Sequence, residues 1–515
     1  MYSRNHIFFI SLLFLVYLIN GIIAIPKLSI TFDEGDHLNY GTRIVKGHPE
    51  KVRPFDDAST MPISALNTIP RIFQQLTNPS LQKNDFGMSD IFAGRYVTLL
   101  LSAFIGLFIL KWSGEMYGAV AGIFSLFLFV FCPDLAGHSL LVTTDSFCAL
   151  LTLTTTYFFW RLTIKGSWAN IFLFSSSLGV AQLTKQSLTH LLIIFFLLSV
   201  IYVFFKRKSI LKQTGFYLKL FISLFIVLFV INLGFLFKGT GLALSDYHFN
   251  SVSFSGLAHL FHSFANIPLP FPSPYIEGLD MVKRMDEMGL GRTETAGYSY
   301  LLGNYSAKGF WYYYSVVIFF KTPISLLFCS FIFSMLWLRK KQARFSGEFI
   351  LLFVIAYFLI FFNFFHNTQV GIRYVLILFP LWIILLGRTA DWLYTRKKLL
   401  LVIGLYTVAT FYYYYPNTIS YTNEFVIPKR FAYKVMANSN LDYGQSGYFL
   451  NSYLSAHPEV KMAPMNFQTG KFVISVNEYL DLFKTGKFAW LRQFEPVGQV
   501  SHSYLLFDIK DSHTK

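Results

Sequence analysis

Apolar stretches of near membrane length recur along the whole of this 515-residue chain. About eleven can be distinguished, and a helix needs about 20 apolar residues to cross the hydrocarbon core of a bilayer. With 54% hydrophobic and only 14% charged residues, the composition excludes disorder and is untypical of a soluble enzyme. The stretches fall near residues 7–25, 96–111, 118–132, 145–161, 168–183, 188–205, 216–237, 310–337, 347–365, 372–388 and 398–415.

The basic residues are concentrated in alternate loops between these stretches. Short loops rich in lysine and arginine face the cytoplasm, so we predict a cytoplasmic N-terminus and, with an odd number of spans, an outer C-terminus. The net charge of +16 then reflects topology, which argues against a nucleic-acid partner. The residues concerned are Lys111, Arg161, Lys165, Lys206, Arg207, Lys208, Lys212, Arg339, Lys340, Lys341, Arg344, Arg388, Arg396, Lys397 and Lys398.

Three longer regions are predicted to lie together on the outer face. Two are loops, at about 26–95 and 239–309, and the third is the tail, 416–515. Within the tail, 471–476 and 503–507 have the composition of strands, which predicts a small α/β domain. The first apolar stretch could instead be a cleaved signal peptide, but no clear small-x-small site follows it, and we favour a retained span.

Acidic residues follow the first apolar stretch directly, in the sequence TFDEGDH at 31–37. Carboxylates are costly where a span meets water and call for an explanation. Asp33 or Glu34 could act as a general base or orient an acceptor hydroxyl, or Asp33 could simply cap the helix that begins beside it. Asp145, where the fourth stretch begins on the outer side, has the same two interpretations, and a helix N-terminus also favours anions nearby.

Three cations have unusual positions in this topology. Lys185 lies in a tight outer turn and either pairs with a phosphate or extends to lipid headgroups. Arg373, where the tenth stretch begins, suits bidentate phosphate binding or anchors the helix at the interface. Lys321 lies inside an aromatic-rich span, where a lysine requires a partner or extends along a tilted helix. Arg292 and Glu294, in the second outer loop, are weaker candidates.

These charges form a coherent chemical set if they converge near the outer leaflet. Acids activate a hydroxyl or amine, and cations hold a lipid-linked phosphate and stabilise it as it leaves. Glycosyl transfer from a polyprenyl-phosphate donor requires this set. Such a donor carries its own leaving group and anchor, which agrees with the lack of a Walker loop or dinucleotide fingerprint in the sequence.

The order of several short motifs resembles the GT-C glycosyltransferases, in the branch that includes protein O-mannosyltransferases and the aminoarabinose transferase of lipid A. The acidic pair at 33–34, the segment from Arg95 to Asp145 and the LTK turn at 183–185 are similar to that family's motifs. Later blocks resemble a bacterial subgroup of predicted transferases: LGNY at 302–305, FKTP at 320–323, GIRY at 371–374 and NSNLDYGQ at 438–445.

This resemblance implies an all-α polytopic membrane protein of GT-C type, residues 1–415, followed by a small extracytoplasmic α/β domain, residues 416–515. It implies Asp33 as the catalytic residue with Glu34 beside it, Asp145 in support, and Lys185 and Arg373 as ligands of the donor phosphate. Lys321 is added to the phosphate-binding set because of its buried position.

The resemblance also bears on location and metal use. The extra soluble repeats of eukaryotic protein O-mannosyltransferases have no clear equivalent here, which favours a bacterial inner membrane. Members of the family differ in their use of metal, so whether this protein uses a divalent cation is left open. Asp33, Glu34 and Asp36 could supply hard oxygen ligands to it, although no spacing demands one.

We therefore predict a hexosyl- or pentosyltransferase that moves a sugar from a polyprenyl-phosphate donor to a lipid, glycan or protein acceptor outside the cytoplasm. A transporter or flippase for polyprenyl-linked glycans is the alternative from another class. It would require polar residues across the midplane and usually repeated halves, and neither is evident. A third alternative is a non-catalytic assembly factor, for which neutralising Asp33 and Asp145 would leave function intact.

Overall fold

The computed structural model describes residues 2–53, 57–77, 87–205, 215–289, 297–339 and 345–510. The predicted basic loops at 206–214 and 340–344 lie outside the described residues, as do the weaker site candidates Arg292 and Glu294.

The first half of the chain is helical, and its apolar stretches all become helices. These helices are α1 (Arg4–Ala24), α2 (Glu34–Val45), α3 (Ile69–Thr77), α4 (Met88–Tyr117), α5 (Ala119–Val130), α6 (Pro133–His138), α7 (Asp145–Ile164), α8 (Trp168–Gln182), α9 (His190–Phe205) and α10 (Phe216–Gly234).

The second half adds further membrane helices and, in the second outer loop, a small antiparallel hairpin of β1 (Ser299–Leu301) and β2 (Asn304–Ser306). Its helices are α11 (Val252–Leu260), α12 (Ser273–Met288), α13 (Tyr313–Lys321), α14 (Ile324–Leu338), α15 (Gly347–Phe364), α16 (Leu378–Leu386), α17 (Ala390–Tyr394) and α18 (Lys397–Tyr414).

Six of the described helices are long and apolar enough to cross a membrane, and seven spans result if α13 and α14 count as one broken span. The six are Arg4–Lys27, Met88–Tyr117, Asp145–Ile164, Gln186–Phe205, Tyr217–Gly234 and Gly347–Phe364. The chain is thus a multi-pass membrane protein, while the count of about eleven spans stays a prediction.

Local sequence explains where two of the spans turn. Gly118, with φ of 99°, ends α4 and starts α5, because glycine adopts this conformation without the steric cost that other residues meet. The stretch at 310–337 forms two helices, α13 and α14, which meet at 111°. Pro323 lies at the break, and a proline ring cannot continue the hydrogen bonding of a helix.

The tail carries the predicted small domain. Its four-stranded sheet has the order β3-β4-β6-β5, with β3 parallel to β4 and the other pairs antiparallel. The strands predicted at 471–476 and 503–507 are confirmed as β4 and β6. The elements are α19 (Gly447–Ala456), β3 (Val460–Met462), β4 (Gly470–Ser475), α20 (Val476–Tyr479), β5 (Gly498–Val500) and β6 (Tyr504–Ile509).

The beginning of the tail is attached to the segments that follow α1 and α15. The backbone N–H of Ser29 donates to Gln445 (3.0 Å), and that of Ser439 donates to Val370 (3.1 Å). Residues 438–445 therefore lie between the sheet and the first outer loop. The proposed boundary between domains at 415 and 416 stays a prediction.

Candidate active site

Four of the predicted site residues meet at one end of the helices. Arg373 Nη1 lies 2.5 Å from Asp33 Oδ2 and 4.0 Å from Asp145 Oδ2. Lys185 Nζ lies 2.8 Å from Asp145 Oδ1. The four side chains form a row of alternating charge, from Asp33 through Arg373 and Asp145 to Lys185, which we call the charged row.

Each residue of the charged row comes from a break in regular structure. Asp33 directly precedes α2 and Asp145 is the first residue of α7, yet Asp33 makes no capping hydrogen bond and the N-cap of α7 is Thr144. Lys185 occupies the turn after α8. Arg373 follows Gly371, where any side chain would collide with the hydroxyl of Ser439.

The charged row is most exposed at Asp33 and most buried at Asp145. The side chain of Asp33 is 31% exposed, those of Lys185 and Arg373 are 14% and 13% exposed, and that of Asp145 is 2% exposed. The Nε of Arg373 has no hydrogen-bond partner among the described residues. The ammonium of Lys185 has three donors, and the hydrogen bond it makes to Asp145 uses one. Donors therefore remain for an anionic ligand beside the accessible carboxylate.

Tyr443, from the tail, completes this arrangement. Its hydroxyl donates to Asp33 Oδ2 at 2.6 Å and contacts Arg373, whose guanidinium carbon lies 4.7 Å from the centre of the tyrosine ring. Tyr443 was not among the predicted site residues, because it is 410 residues away from Asp33 along the chain. The motif at 438–445 was the one signal that pointed to it.

The surroundings set the protonation of the charged row. Burial alone would raise the pKa of Asp33, but Arg373 and the hydroxyl of Tyr443 outweigh it and hold the pKa below its ordinary value. Burial would likewise lower the pKa of Lys185, yet the carboxylate of Asp145 brings it above the ordinary value. Asp33 is therefore an ionised carboxylate at neutral pH, better suited to orienting a hydroxyl than to retaining its proton.

Two buried histidines lie close to the charged row. His37 Nδ1 is 3.2 Å from the hydroxyl of Ser64, and burial lowers the pKa of His37 to about 4. Both ring nitrogens of His138 are buried without a partner among the described residues, and burial also lowers the pKa of His138 to about 4. Both imidazoles are neutral at pH 7, so they add no charge to the site.

Glu34 lies outside the charged row and holds its surroundings together. Its fully buried carboxylate accepts from Arg95 Nε (2.8 Å) and Nη2 (2.6 Å) and from the backbone N–H groups of Thr31 (2.8 Å) and Val142 (2.9 Å). These contacts join the loop after α1 to α4 and to the loop before α7. The structure supports a positioning role for Glu34, and its predicted catalytic role has no geometric support.

Lys321 is likewise separate from the predicted phosphate site. Its fully buried ammonium donates to the backbone oxygens of Ile419 (2.6 Å) and Asn440 (2.9 Å) and lies 3.0 Å from Asp134 Oδ1. The ammonium thus makes two hydrogen bonds and an ion pair, all within the protein. Lys321 therefore attaches the bend between α13 and α14 to the start of the tail, and its prediction as a phosphate ligand has no geometric support.

The residues that could hold a metal are dispersed. Asp33 and Glu34 belong to different networks, and Asp36 pairs with Arg53 at 3.5 Å. Within the described ranges, no three His, Cys, Asp or Glu side chains are grouped in a way that could hold a metal ion.

Comparison with known proteins agrees with this architecture. A family model described as dolichyl-phosphate-mannose-protein mannosyltransferase matches residues 85–232. This match covers less than half of the chain, and it agrees with the GT-C resemblance seen in the motifs. None of the curated proteins matches the chain in sequence.

The fold is similar to that of ArnT from Cupriavidus metallidurans. The apo structure of ArnT aligns with a TM-score of 0.52 and 13% identity, covering 96% of this chain and 97% of ArnT. The structure of ArnT bound to undecaprenyl phosphate aligns with a TM-score of 0.49 and 14% identity, covering 98% of each chain.

Proposed function

We propose that this protein is an integral-membrane glycosyltransferase that moves a sugar from a polyprenyl-phosphate donor to an acceptor on the outer side of the membrane. The observation that carries the proposal is the charged row, in which the accessible carboxylate of Asp33 adjoins Arg373 and a second cation with free donors, Lys185, lies beyond Asp145. The matched family model describes enzymes that use a lipid-phosphate sugar, and ArnT has been crystallised with undecaprenyl phosphate.

In this reaction the acceptor oxygen forms a bond to the anomeric carbon, and the bond from that carbon to the phosphate oxygen breaks. Asp33 accepts a hydrogen bond from the acceptor O–H and orients it for attack. The phosphate departs with the bonding electrons, and Lys185 and Arg373 stabilise its growing negative charge. A carboxylate of lowered pKa is a poor final proton acceptor, whereas a phosphate monoester has a second pKa of about 6. The proton therefore ends on the released polyprenyl phosphate.

Asp145 acts through its neighbours in this proposal. It is almost fully buried and lies between the two cations, 2.8 Å from Lys185 and 4.0 Å from Arg373. Two cations held side by side repel each other, and a carboxylate between them reduces that repulsion. We infer that Asp145 positions both for the phosphate without touching the acceptor.

The same proposal covers location. We place the protein in the inner membrane of a bacterium, with a cytoplasmic N-terminus and a periplasmic tail. The lysines and arginines of alternate short loops support this orientation. The acceptor is then a lipid, glycan or protein of the envelope.

The test is mass spectrometry of envelope lipids, glycans and proteins from cells that contain the gene, lack it, or carry Asp33→Asn. The substitution keeps the size of the side chain and removes the charge that orients the acceptor. We expect the modification to vanish both without the gene and with Asp33→Asn, while the variant is inserted and folded as the wild type is. Glu459→Gln, in an exposed pair with Lys471, is the matched control. Full modification by Asp33→Asn would overturn the proposal.

A further inference from the structure

An apolar cavity lies in the second outer loop, away from the charged row. It has a volume of about 360 Å³ and is lined almost entirely by residues 244–269, including Phe249, Phe254 and Ala258, with Ile276 of α12 on one side. That volume falls within the range of ligand sites, about 300–1,000 Å³. The proposed sugar transfer makes no use of this cavity.

Residues 241–270 form the segment that covers the cavity, and we call this segment the flap. Its two ends lie side by side at the end of α10. Asn232, in the last turn of α10, donates to the backbone oxygen of Pro270 (2.9 Å) and accepts from Thr240 (2.5 Å). The two limbs of the flap pair through Gly241 N–H to Leu269 O (3.0 Å). The base of the flap is therefore fixed at the end of a membrane-spanning helix.

The helix inside the flap is held at its N-terminus. The carboxylate of Glu287, on α12, accepts from the backbone N–H groups of Val252 (2.7 Å) and Ser253 (2.9 Å). Asp280, also on α12, accepts from the N–H of Ser251 at 2.9 Å. These bonds fix α11 against α12.

The flap exposes large apolar side chains beside polar ones such as His259 and His262, and it is almost free of charge. Val252 and Leu260 are each 72% exposed. The flap contains no lysine or arginine, and Asp246 is its one acidic residue. A soluble surface rarely shows apolar side chains to this extent, whereas hydrocarbon accepts them without cost. The helix that precedes the flap, α10, also exposes large apolar side chains, such as Phe225 at 60%.

We propose that the flap lies in the outer leaflet and that the cavity beneath it binds a hydrocarbon chain of a bilayer lipid. The attachment at Asn232 sets the depth, because that residue belongs to the last turn of a span. The lack of charge favours acyl chains over headgroups, since attraction to anionic headgroups requires basic residues. This inference does not depend on the proposed sugar transfer.

Spin labels in lipid nanodiscs test the depth of the flap. The three native cysteines are buried, so a label can be directed to one introduced cysteine. We expect a label at Leu260→Cys to collide with oxygen more than with a water-soluble nickel chelate, as a label at Phe225→Cys on α10 does. A label at Ser452→Cys, exposed on α19, should show the reverse. A water-like result at Leu260 would overturn the proposal, as would shielding from both reagents, which would indicate a protein partner.

The cavity is tested by filling it. Ala258→Trp places an indole in the cavity, whereas Gly256→Trp adds the same group on the same helix in open space. We expect native mass spectrometry of the purified protein to show several-fold less bound phospholipid for Ala258→Trp than for the wild type, with Gly256→Trp unchanged. Equal retention of lipid by the two variants would overturn the cavity as a lipid site.

Discussion

The buried carboxylate of Glu34 offers the sharpest test of how this fold is held together. Glu34→Gln preserves the shape of the side chain and removes its charge. The amide keeps one acceptor oxygen, but its NH2 group now faces two donors, the N–H of Thr31 and Nη2 of Arg95. Each lost hydrogen bond to a charged group costs about 1.5–3 kcal/mol. Removing one partner of a buried ion pair costs about 3–5 kcal/mol, which agrees with the sum for two lost hydrogen bonds. We therefore expect the free energy of unfolding to fall by about 3–5 kcal/mol.

The loss is measured by unfolding the purified protein with sodium dodecyl sulfate in mixed micelles. The control is Glu459→Gln, which breaks the exposed pair with Lys471, 3.6 Å apart. Exposed pairs contribute little to stability, and we expect the control to unfold with the wild type. The comparison separates the effect of burial from the effect of removing a negative charge.

Two outcomes would refute this reasoning about Glu34. If Glu34→Gln unfolds together with the control, the contacts with Arg95 do not stabilise the fold as the geometry indicates. If it is also inactive in sugar transfer while fully stable, Glu34 has the catalytic role that the sequence suggested.

Three further predictions follow from the site. Tyr443→Phe removes a hydrogen bond to Asp33, about 1.5–3 kcal/mol, so we expect kcat of transfer to fall about 10- to 100-fold with little change in KM; an unchanged kcat would contradict the positioning role. Lys321→Met leaves Asp134 buried without its counter-charge and should lower the free energy of unfolding in detergent by about 3–5 kcal/mol. Adding Asp134→Leu to the same chain should restore stability, and a single variant as stable as the wild type would refute this prediction. The pKa of His37 in the folded protein, about 4, lies below its ordinary value of 6.5, so the contribution of His37 to stability is complete above pH 6.5 and declines toward pH 4. The free energy of unfolding, measured across this range for the wild type and for His37→Gln, should show the difference between the two proteins shrink as the pH falls. A difference that is independent of pH would contradict this prediction.

Much of the candidate site was predictable because the membrane restricts where charges can lie. A charged side chain at the end of an apolar stretch is costly, so Asp33, Asp145, Lys185 and Arg373 were conspicuous in the sequence. Alternate placement of basic loops assigned all four to one face, and the structure brings them within hydrogen-bonding or ionic contact. Their roles in transfer stay predictions.

Neighbouring residues with similar chemistry could not be separated in this way. Asp33 and Glu34 are adjacent, yet one is accessible beside Arg373 and the other is fully buried against Arg95. The chain turns into α2 between them, and adjacent residues at the start of a helix point in different directions. A pattern of residue types contains no information about those directions.

The sequence by itself determined the class of protein: apolar stretches that must be helical in a bilayer, the side on which the charges gather, and two strands of the tail. These are properties of short segments, set by hydrophobicity and spacing. The tertiary structure decided which charges meet. It assigned Glu34 and Lys321 to structural networks and brought Tyr443 against Asp33, because such pairings depend on chain segments tens to hundreds of residues apart that only folding places together.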